Sequence, residues 1–329
     1  MNVSIVITCI NEEDNIKACL SSLLHQSYPP NKYEMNVIDG GSGDRTQELV
    51  REIEKDNKNV HLVVEPKHGT AAGRNAGIKA SRHDHVAFID ADCEAPEDWL
   101  AILVKHYNEI HQTDRSVIAV GGTNIPPVNA CYFLQAIGIA INSYLGSFNS
   151  AQGRRFKKPL FVQSLANLNV LYDKQKLIEI GCYDESLGSE AEDADINYRL
   201  QAAGRRFLFI PDSFVRHKMR STPLKWLKNM FRYGKGRARL LKRYPRMWGF
   251  YYIMPLIFIV VLSSSILFPF SNIFLIPLVY FPVIFLYSLI YCIKEKSLLL
   301  TPHVMVVYIL KHFGYAAGEL YGLINPRVK

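Results

Sequence analysis

Short apolar runs alternate with amphipathic stretches through the first 120 positions of the chain. Residues 3–7, 35–38, 60–64 and 86–89 read as buried strands, while 15–25, 46–55 and 71–80 carry apolar residues at helical spacing. Such alternation predicts a parallel sheet covered by helices, with a ligand crevice at the carboxyl ends of the strands. Each predicted strand runs into a polar segment. Asn11-Glu12-Glu13 follows the first, Asp39-Gly40-Gly41-Ser42-Gly43-Asp44 the second, the turn at 69–74 the third and Asp90-Ala91-Asp92 the fourth.

The pattern changes near residue 245. From 248 to 293, 46 consecutive residues lack Asp, Glu, Lys and Arg, whereas about 20 suffice for a bilayer crossing. Phe268-Pro269-Phe270-Ser271-Asn272 breaks the run, so it predicts two membrane helices, about 249–268 and 273–293. A third apolar segment, about 298–324, carries Lys311, His312 and Glu319, and reads as a transmembrane or an interfacial helix. Its Gly314, Gly318 and Gly322 share one face, where another helix can approach closely, and a helix-mediated oligomer is one way to use it. Lys311, Tyr315 and Glu319 fall beside that face and are expected to meet protein. The expected organisation is an α/β domain over 1–245 followed by a membrane domain over 246–329.

Charge sets the expected orientation. Met1 leads directly into the first strand, so no signal peptide is expected. Between 199 and 246 there are 15 Lys or Arg against one acid, Asp212, and Lys294 and Lys296 follow the second apolar run. Both clusters mark the cytoplasmic side of a multi-pass protein in the cell membrane. The net charge of +8 is concentrated at that boundary, which favours anionic headgroups over nucleic acid as the partner. Six scattered cysteines without a Cys-Xaa-Xaa-Cys pair read as reduced thiols without zinc.

Two acids at i and i+2 repel each other, and Mg²⁺ or Mn²⁺ carrying a diphosphate would keep Asp90 and Asp92 ionised. The glycines at 40, 41 and 43 allow close backbone approach to an anion or sugar ahead of a helix. Residues 130–145 are apolar on nearly every turn and precede Arg154-Arg155-Phe156-Lys157-Lys158. That segment fits either a core helix with a surface loop or an interfacial helix facing a lipid-borne substrate.

Over residues 1–245 these motifs, in this order, resemble the inverting family-2 glycosyltransferases of the GT-A fold. The segment 4–12 looks like the family's opening strand and Asn-Glu turn, and 37–44 like its second-strand motif. Ala72-Gly73-Arg74-Asn75-Ala76-Gly77 is similar to its arginine-bearing helix start, and Phe88-Ile89-Asp90-Ala91-Asp92 to its metal motif. The resemblance implies donor binding by Thr8, Asn11, Glu12, Asp39, Arg74, Asp90 and Asp92, with Asp39 reading the base and a UDP-sugar favoured over a GDP-sugar. It implies a metal held by Asp90, Asp92 and His217, the last from Pro211-Asp212-Ser213-Phe214-Val215-Arg216-His217. In Glu190-Ala191-Glu192-Asp193, the family's catalytic base falls on Asp193, with Glu192, Arg232 and Arg237 on the acceptor. An attacking sugar hydroxyl needs such a base.

The chain departs from the family's pattern at Thr8, Cys9, Ile10 and Gly40, and lacks the Gln-Xaa-Xaa-Arg-Trp sequence of processive synthases. The implied activity is transfer of one sugar to a hydroxyl of a lipid-linked acceptor at the cytoplasmic membrane face. A polyprenyl-phosphate sugar synthase and a nucleotide-sugar-sensing membrane scaffold are the alternatives.

Overall fold

A computed structural model describes residues 1–325 apart from 149, 220 and 268. The chain forms two compact units, Met1–Pro127 with Ser150–Lys218, and Val128–Asn149 with Met219–Lys329. They divide the chain otherwise than at residue 245. The segment 128–149, which local pattern leaves open between a core and an interfacial helix, belongs to the second.

In the first unit the described residues build a nine-stranded mixed sheet. Strands β1 (Val3–Cys9), β2 (Tyr33–Asp39), β3 (Val60–Val64) and β4 (His85–Asp90) are mutually parallel in the order β3-β2-β1-β4. Between them run helices α1 (Ile16–Leu24), α2 (Thr46–Asp56) and α3 (Thr70–Ala80). The sheet continues through β5 (Cys93–Glu94), β6 (Val117–Ile125), β7 (Leu160–Val162), β8 (Val170–Asp173) and β9 (Arg206–His217), with α4 (Trp99–Thr113) between β5 and β6. β8 runs antiparallel to β4 and β6, and β9 runs parallel to β6.

Both faces of the sheet are covered. Val3, Ile5 and Ile7 of β1 enter one core with Ile16, Cys19, Leu20 and Leu23, which share one face of α1. Val6 points to the opposite core with Ala71 and Ile78 of α3, as the two-residue period of a strand requires. Gly77 lets α3 lie close on β1, because a Cβ there would stand 2.2 Å from Val6 Cγ1.

The second unit holds α5 (Tyr132–Ile141) and α6 (Tyr144–Ser147). The first unit's α7 (Lys174–Glu179) and α8 (Glu192–Ala202) come next in chain order. The second unit resumes with α9 (Pro223–Arg243), α10 (Phe250–Ser263), α11 (Tyr280–Lys294) and α12 (Thr301–Ile324). A Cβ on Gly318 would lie 2.0 Å from Phe231 O, and one on Gly234 2.0 Å from Tyr315 O. Thus α9 of the same chain occupies the glycine face that the sequence offered to any helix. Glu319 of α12 is fully buried, as expected of a charge beside that face.

Among the described residues one helical stretch, Asn272–Lys294, is long and apolar enough to cross a membrane, while Tyr252–Leu267 is apolar but shorter. The expected first membrane helix, 249–268, therefore forms only in part, and its last residue, Phe268, lies outside the described residues. Its α-helix gives way to a 3₁₀ turn at Ser264–Leu267, where Ser264 Oγ donates to Val261 O (2.6 Å). Such serine bonds compete with the helical ladder.

Candidate active site

β1 and β2 pair in the register Cys9↔Asp39, so the loops after them leave the sheet side by side. Asn11 sits in the left-handed region (φ 54°), which asparagine tolerates. Its N–H donates to Ser42 Oγ (2.8 Å), and its Oδ1 accepts from Gly43 N–H (2.9 Å). Glu12 N–H donates to Thr46 Oγ1 (2.8 Å), and Glu12 Oε2 accepts from Asn15 Nδ2 (2.6 Å). Thr8 lies between Ile38 and Asp90 in the sheet, with its Cγ2 close under Gly73.

Asp39 is fully buried. Its Oδ1 accepts from Gly41 N–H, Ser42 N–H and Gln47 Nε2 at 3.0, 2.9 and 2.7 Å. Its Oδ2 accepts from Ser42 Oγ (2.5 Å). These four bonds tie the carboxylate to its own loop and to the first turn of α2. Asp39 shapes this loop.

Arg74 and Asn75 open onto the segment a hundred residues later. Asn75 Nδ2 donates to Tyr183 O and Glu185 Oε1, both at 2.9 Å, and Asn75 Oδ1 accepts from Tyr183 N–H (2.9 Å). Ala71 N–H donates to Gly188 O, and Lys67 pairs with Glu185. Arg74 Nη1 donates to Glu192 Oε1 at 2.7 Å, while Nη2 stands 3.5 Å from Asp90 Oδ1. The guanidinium and Glu192 are buried, and Tyr183 stacks under the guanidinium at 5.6 Å. Burial alone would lower the Arg74 pKa, but Glu192 and Asp90 hold it above its ordinary value. Burial raises the Glu192 carboxyl, Arg74 pulls it back, and Asp193 pushes it up again. Expected on the acceptor, Glu192 is instead bound to Arg74. Arg74, expected on the donor, bonds Glu192 and stands beside Asp90.

Asp193 follows Glu192 in the first turn of α8 and is half-buried, with Ala194 N–H donating to its Oδ1 (2.7 Å). The helix starts from Ala191 in the left-handed region (φ 63°), a conformation that costs a non-glycine residue about 1–3 kcal/mol and tends to persist at functional sites. Asn197 Nδ2 donates to Asp193 O (2.7 Å) and Leu165 O (3.0 Å), and its Oδ1 accepts from the buried Tyr172 hydroxyl (3.2 Å). Asp195 is buried against Arg199.

The turn Asp90-Ala91-Asp92 is pinned to the end of β9, where Lys218 N–H donates to Asp92 O (2.9 Å) and Cys93 pairs with His217. Asp92 Oδ2 and His217 Nε2 are 3.3 Å apart, with side chains 13% and 17% exposed. Asn124 lies on the far side of the imidazole, its amide 3.4 Å from Nδ1. Partial burial pushes the Asp90 carboxyl above its ordinary range, Arg74 pulls it back, and Asp92 pushes it further. This is the repulsion expected of acids at i and i+2.

The structure thus brings Asp92 and His217 together, whereas Asp90, expected beside them on the metal, faces Arg74, which also binds Glu192. Arg232 and Arg237 lie on α9 in the second unit. Arg232 Nη2 donates to Asn229 Oδ1 (2.9 Å), and Arg237 lies over the Tyr252 ring at 4.7 Å and hydrogen-bonds Tyr315. Sequence reasoning missed Gln47, Asn124 and Cys93. Of these only Cys93 carried a signal, as the residue that follows the acidic triplet.

Residues 4–129 match the model of Glycosyl transferase family 2, and residues 85–293 that of Glycosyl transferase family group 2. Glycosyltransferase AglE of Haloferax volcanii is 31% identical over 242 residues, covering 72% of this chain and 73% of that protein. A Methanococcus voltae enzyme, dolichyl N-acetyl-alpha-D-glucosaminyl phosphate 3-beta-D-2,3-diacetamido-2,3-dideoxy-beta-D-glucuronosyltransferase, is 23% identical and covers 73% of this chain and 74% of its own. Among solved structures, mannosyltransferase PcManGT of Pyrobaculum calidifontis with GDP-Man and Mn²⁺ superimposes with a TM-score of 0.60 at 16% identity, over 94% of this chain and 86% of that one.

Proposed function

Because the chain belongs to glycosyl transferase family 2 and has the GT-A fold, we propose that this glycosyltransferase moves one sugar, with inversion, from a UDP-sugar to a hydroxyl of a lipid-linked acceptor. The observation that carries the reading is Arg74. It binds Asp90 of the acidic turn and Glu192, the neighbour of Asp193, so the acid pair and the proposed base share one buried frame.

Asp92 and His217 fit a divalent cation. Two donors about 2.0–2.2 Å from one ion stand about 3–3.5 Å apart at octahedral to tetrahedral angles, a range that includes the 3.3 Å between Asp92 Oδ2 and His217 Nε2. The Asn124 carboxamide can turn its oxygen to Nδ1–H and hold the tautomer whose Nε2 lone pair faces Asp92. Asp92 and His217 would hold the ion, with Asp90 beside them. Mn²⁺, present in the PcManGT and GalNAc-T7 structures, is preferred to Mg²⁺ because an imidazole joins the oxygen donors. When bound it supplies Lewis-acid charge at the leaving diphosphate.

The remaining work belongs to side chains. The interlocked loops that carry Asn11, Glu12 and Asp39 form the floor for the nucleotide. Asp193 accepts the proton of the attacking hydroxyl as it closes on the anomeric carbon, a role worth about 10²–10⁴ in rate. Glu192 keeps Arg74 in place beneath it. Attack from the face opposite the diphosphate inverts the centre.

The membrane setting rests on the second unit. The Asn272–Lys294 stretch is long and apolar enough to cross a bilayer, and the shorter apolar α10 precedes it. Val260, Val261, Val283, Leu286 and Ile290 on these helices are exposed, as lipid-facing residues are. The name of the Methanococcus relative describes transfer onto a dolichyl-phosphate-linked sugar, which supports a hydroxyl on a lipid-linked glycan as the acceptor; the basic residues between 199 and 246 support a catalytic unit on the cytoplasmic side. The test is nucleotide release by the full chain with Mn²⁺, a panel of UDP- and GDP-sugars, and either a polyprenyl-linked sugar or a polyprenyl phosphate. Release with the linked sugar supports the reading. Release with polyprenyl phosphate alone replaces it with a phosphate acceptor, and donor binding without release points to a sensor.

A further inference from the structure

β5 is two residues long, and its antiparallel pairing sets Cys93 directly opposite His217. Directly opposed residues project to the same face of a sheet. A carboxylate oxygen of Asp92, Sγ of Cys93 and a ring nitrogen of His217 accordingly lie within 4.8 Å of one another. Cys93 Sγ is 3.9 Å from Asp92 Oδ1. Sulfur about 2.3 Å and oxygen about 2.0–2.2 Å from one tetrahedral ion stand about 3.6 Å apart, so the Asp92–Cys93 pair is already near that spacing.

We propose that Cys93 is a third ligand in the cation site, giving it an oxygen, nitrogen and sulfur donor set that takes a thiophilic divalent ion, Zn²⁺ above all, in place of the hard ion. The proposal rests on the reading of Asp92 and His217 as cation ligands. Asp92 and His217 are partly exposed and Cys93 is buried, so an ion enters onto oxygen and nitrogen and meets sulfur from below. The Sγ–H proton passes to water as the sulfur–metal bond forms. Three protein donors with one open position make the arrangement that zinc prefers, while Mn²⁺ favours oxygen and makes little use of a thiolate. Zinc bound this way displaces Mn²⁺ and inhibits transfer.

Zinc outbinds manganese at most nitrogen and oxygen sites, so the test isolates the sulfur. The full chain, reduced and in detergent, is titrated with Co²⁺, and its Zn²⁺ and Mn²⁺ affinities are measured by chelator competition. The expected results are a thiolate-to-cobalt charge-transfer band in the wild type and its loss in Cys93→Ser. The ratio of Zn²⁺ to Mn²⁺ affinity falls at least ~10-fold in that variant, the scale of losing a partner in a metal site. A wild-type cobalt complex without the band, which needs no variant to observe, overturns the proposal, as does an unchanged ratio in Cys93→Ser. Asp92→Asn separates the two readings. If it weakens Mn²⁺ while cobalt shows no thiolate band, the cation site stands and only Cys93 is wrong; if Mn²⁺ affinity is indifferent to it, the cation site itself fails.

Discussion

The Arg74–Glu192 pair yields a quantitative test of the frame beneath the site. At 2.7 Å and an effective dielectric of about 20, the attraction is about 6 kcal/mol. Desolvating each ion costs several kcal/mol, so the net contribution of the intact pair is small. Removing one member is different, because the survivor stays buried without compensation, at a cost of about 3–5 kcal/mol. The geometry predicts an asymmetry. Glu192→Leu leaves Arg74 with Asp90 at 3.5 Å and should fall near ~3 kcal/mol, whereas Arg74→Met strands two carboxylates and should reach ~5 kcal/mol or more. The double variant replaces the pair by apolar side chains and should cost less than Arg74→Met alone. Urea unfolding in detergent, followed by fluorescence of the buried Trp99 in a Trp226→Phe/Trp248→Phe background, reports the midpoint shifts. Single-variant costs within ~1 kcal/mol of the parent, or strictly additive ones, would refute the frame.

Other consequences are as concrete. Gly77→Ala places a Cβ 2.2 Å from Val6 Cγ1 and should cost about 1–3 kcal/mol, partly recovered by Val6→Ala; failure of that recovery in the same urea assay removes the close-packing explanation. Gly318→Ile drives a side chain into the Phe231 carbonyl, 2.0 Å from the Cβ position, and should abolish protease resistance of α9 and α12, with a wild-type digestion pattern as the contrary result. Burial pushes the Glu34 carboxyl up, but Arg82 N–H (2.8 Å) and Ser4 Oγ (2.7 Å) hold it below its ordinary 4.5. A lowered folded pKa gives stability that is full above about pH 4.5 and disappears as pH falls through the folded value. The stability lead over Glu34→Gln should therefore close on acidification, and a lead independent of pH would contradict this.

The first four strands and the polar turns after them were readable from sequence, because a buried parallel strand is a short apolar run and its end is where the chain turns polar. Asp92 and His217 were named as partners from the resemblance, and the structure puts them 3.3 Å apart. What lies across long separations was not readable. The Cys93↔His217 register spans 124 residues, and the one local sign for Cys93 was its place directly after the acidic triplet. Arg74 and Glu192 looked like donor and acceptor ligands because sequence shows charge but not burial; the structure pairs them with each other. Asn169, fully buried, joins α4, β6 and β9 through Trp99 Nε1, Thr123 O and Ser213 Oγ, a junction without local periodicity. The expected first membrane helix gives way to a 3₁₀ turn at Ser264, whose Oγ bonds Val261 O, and hydropathy does not register that competition for the backbone.

The central claim, that Asp193 takes the proton of an attacking hydroxyl, is tested most directly by single-turnover sugar transfer in Asp193→Asn. With donor saturating and Mn²⁺ present, the rate onto a polyprenyl-linked sugar should fall roughly 10²-fold or more, with donor affinity and anomeric inversion unchanged. A near-normal rate would contradict the account and move the chemistry to an acceptor that needs no base.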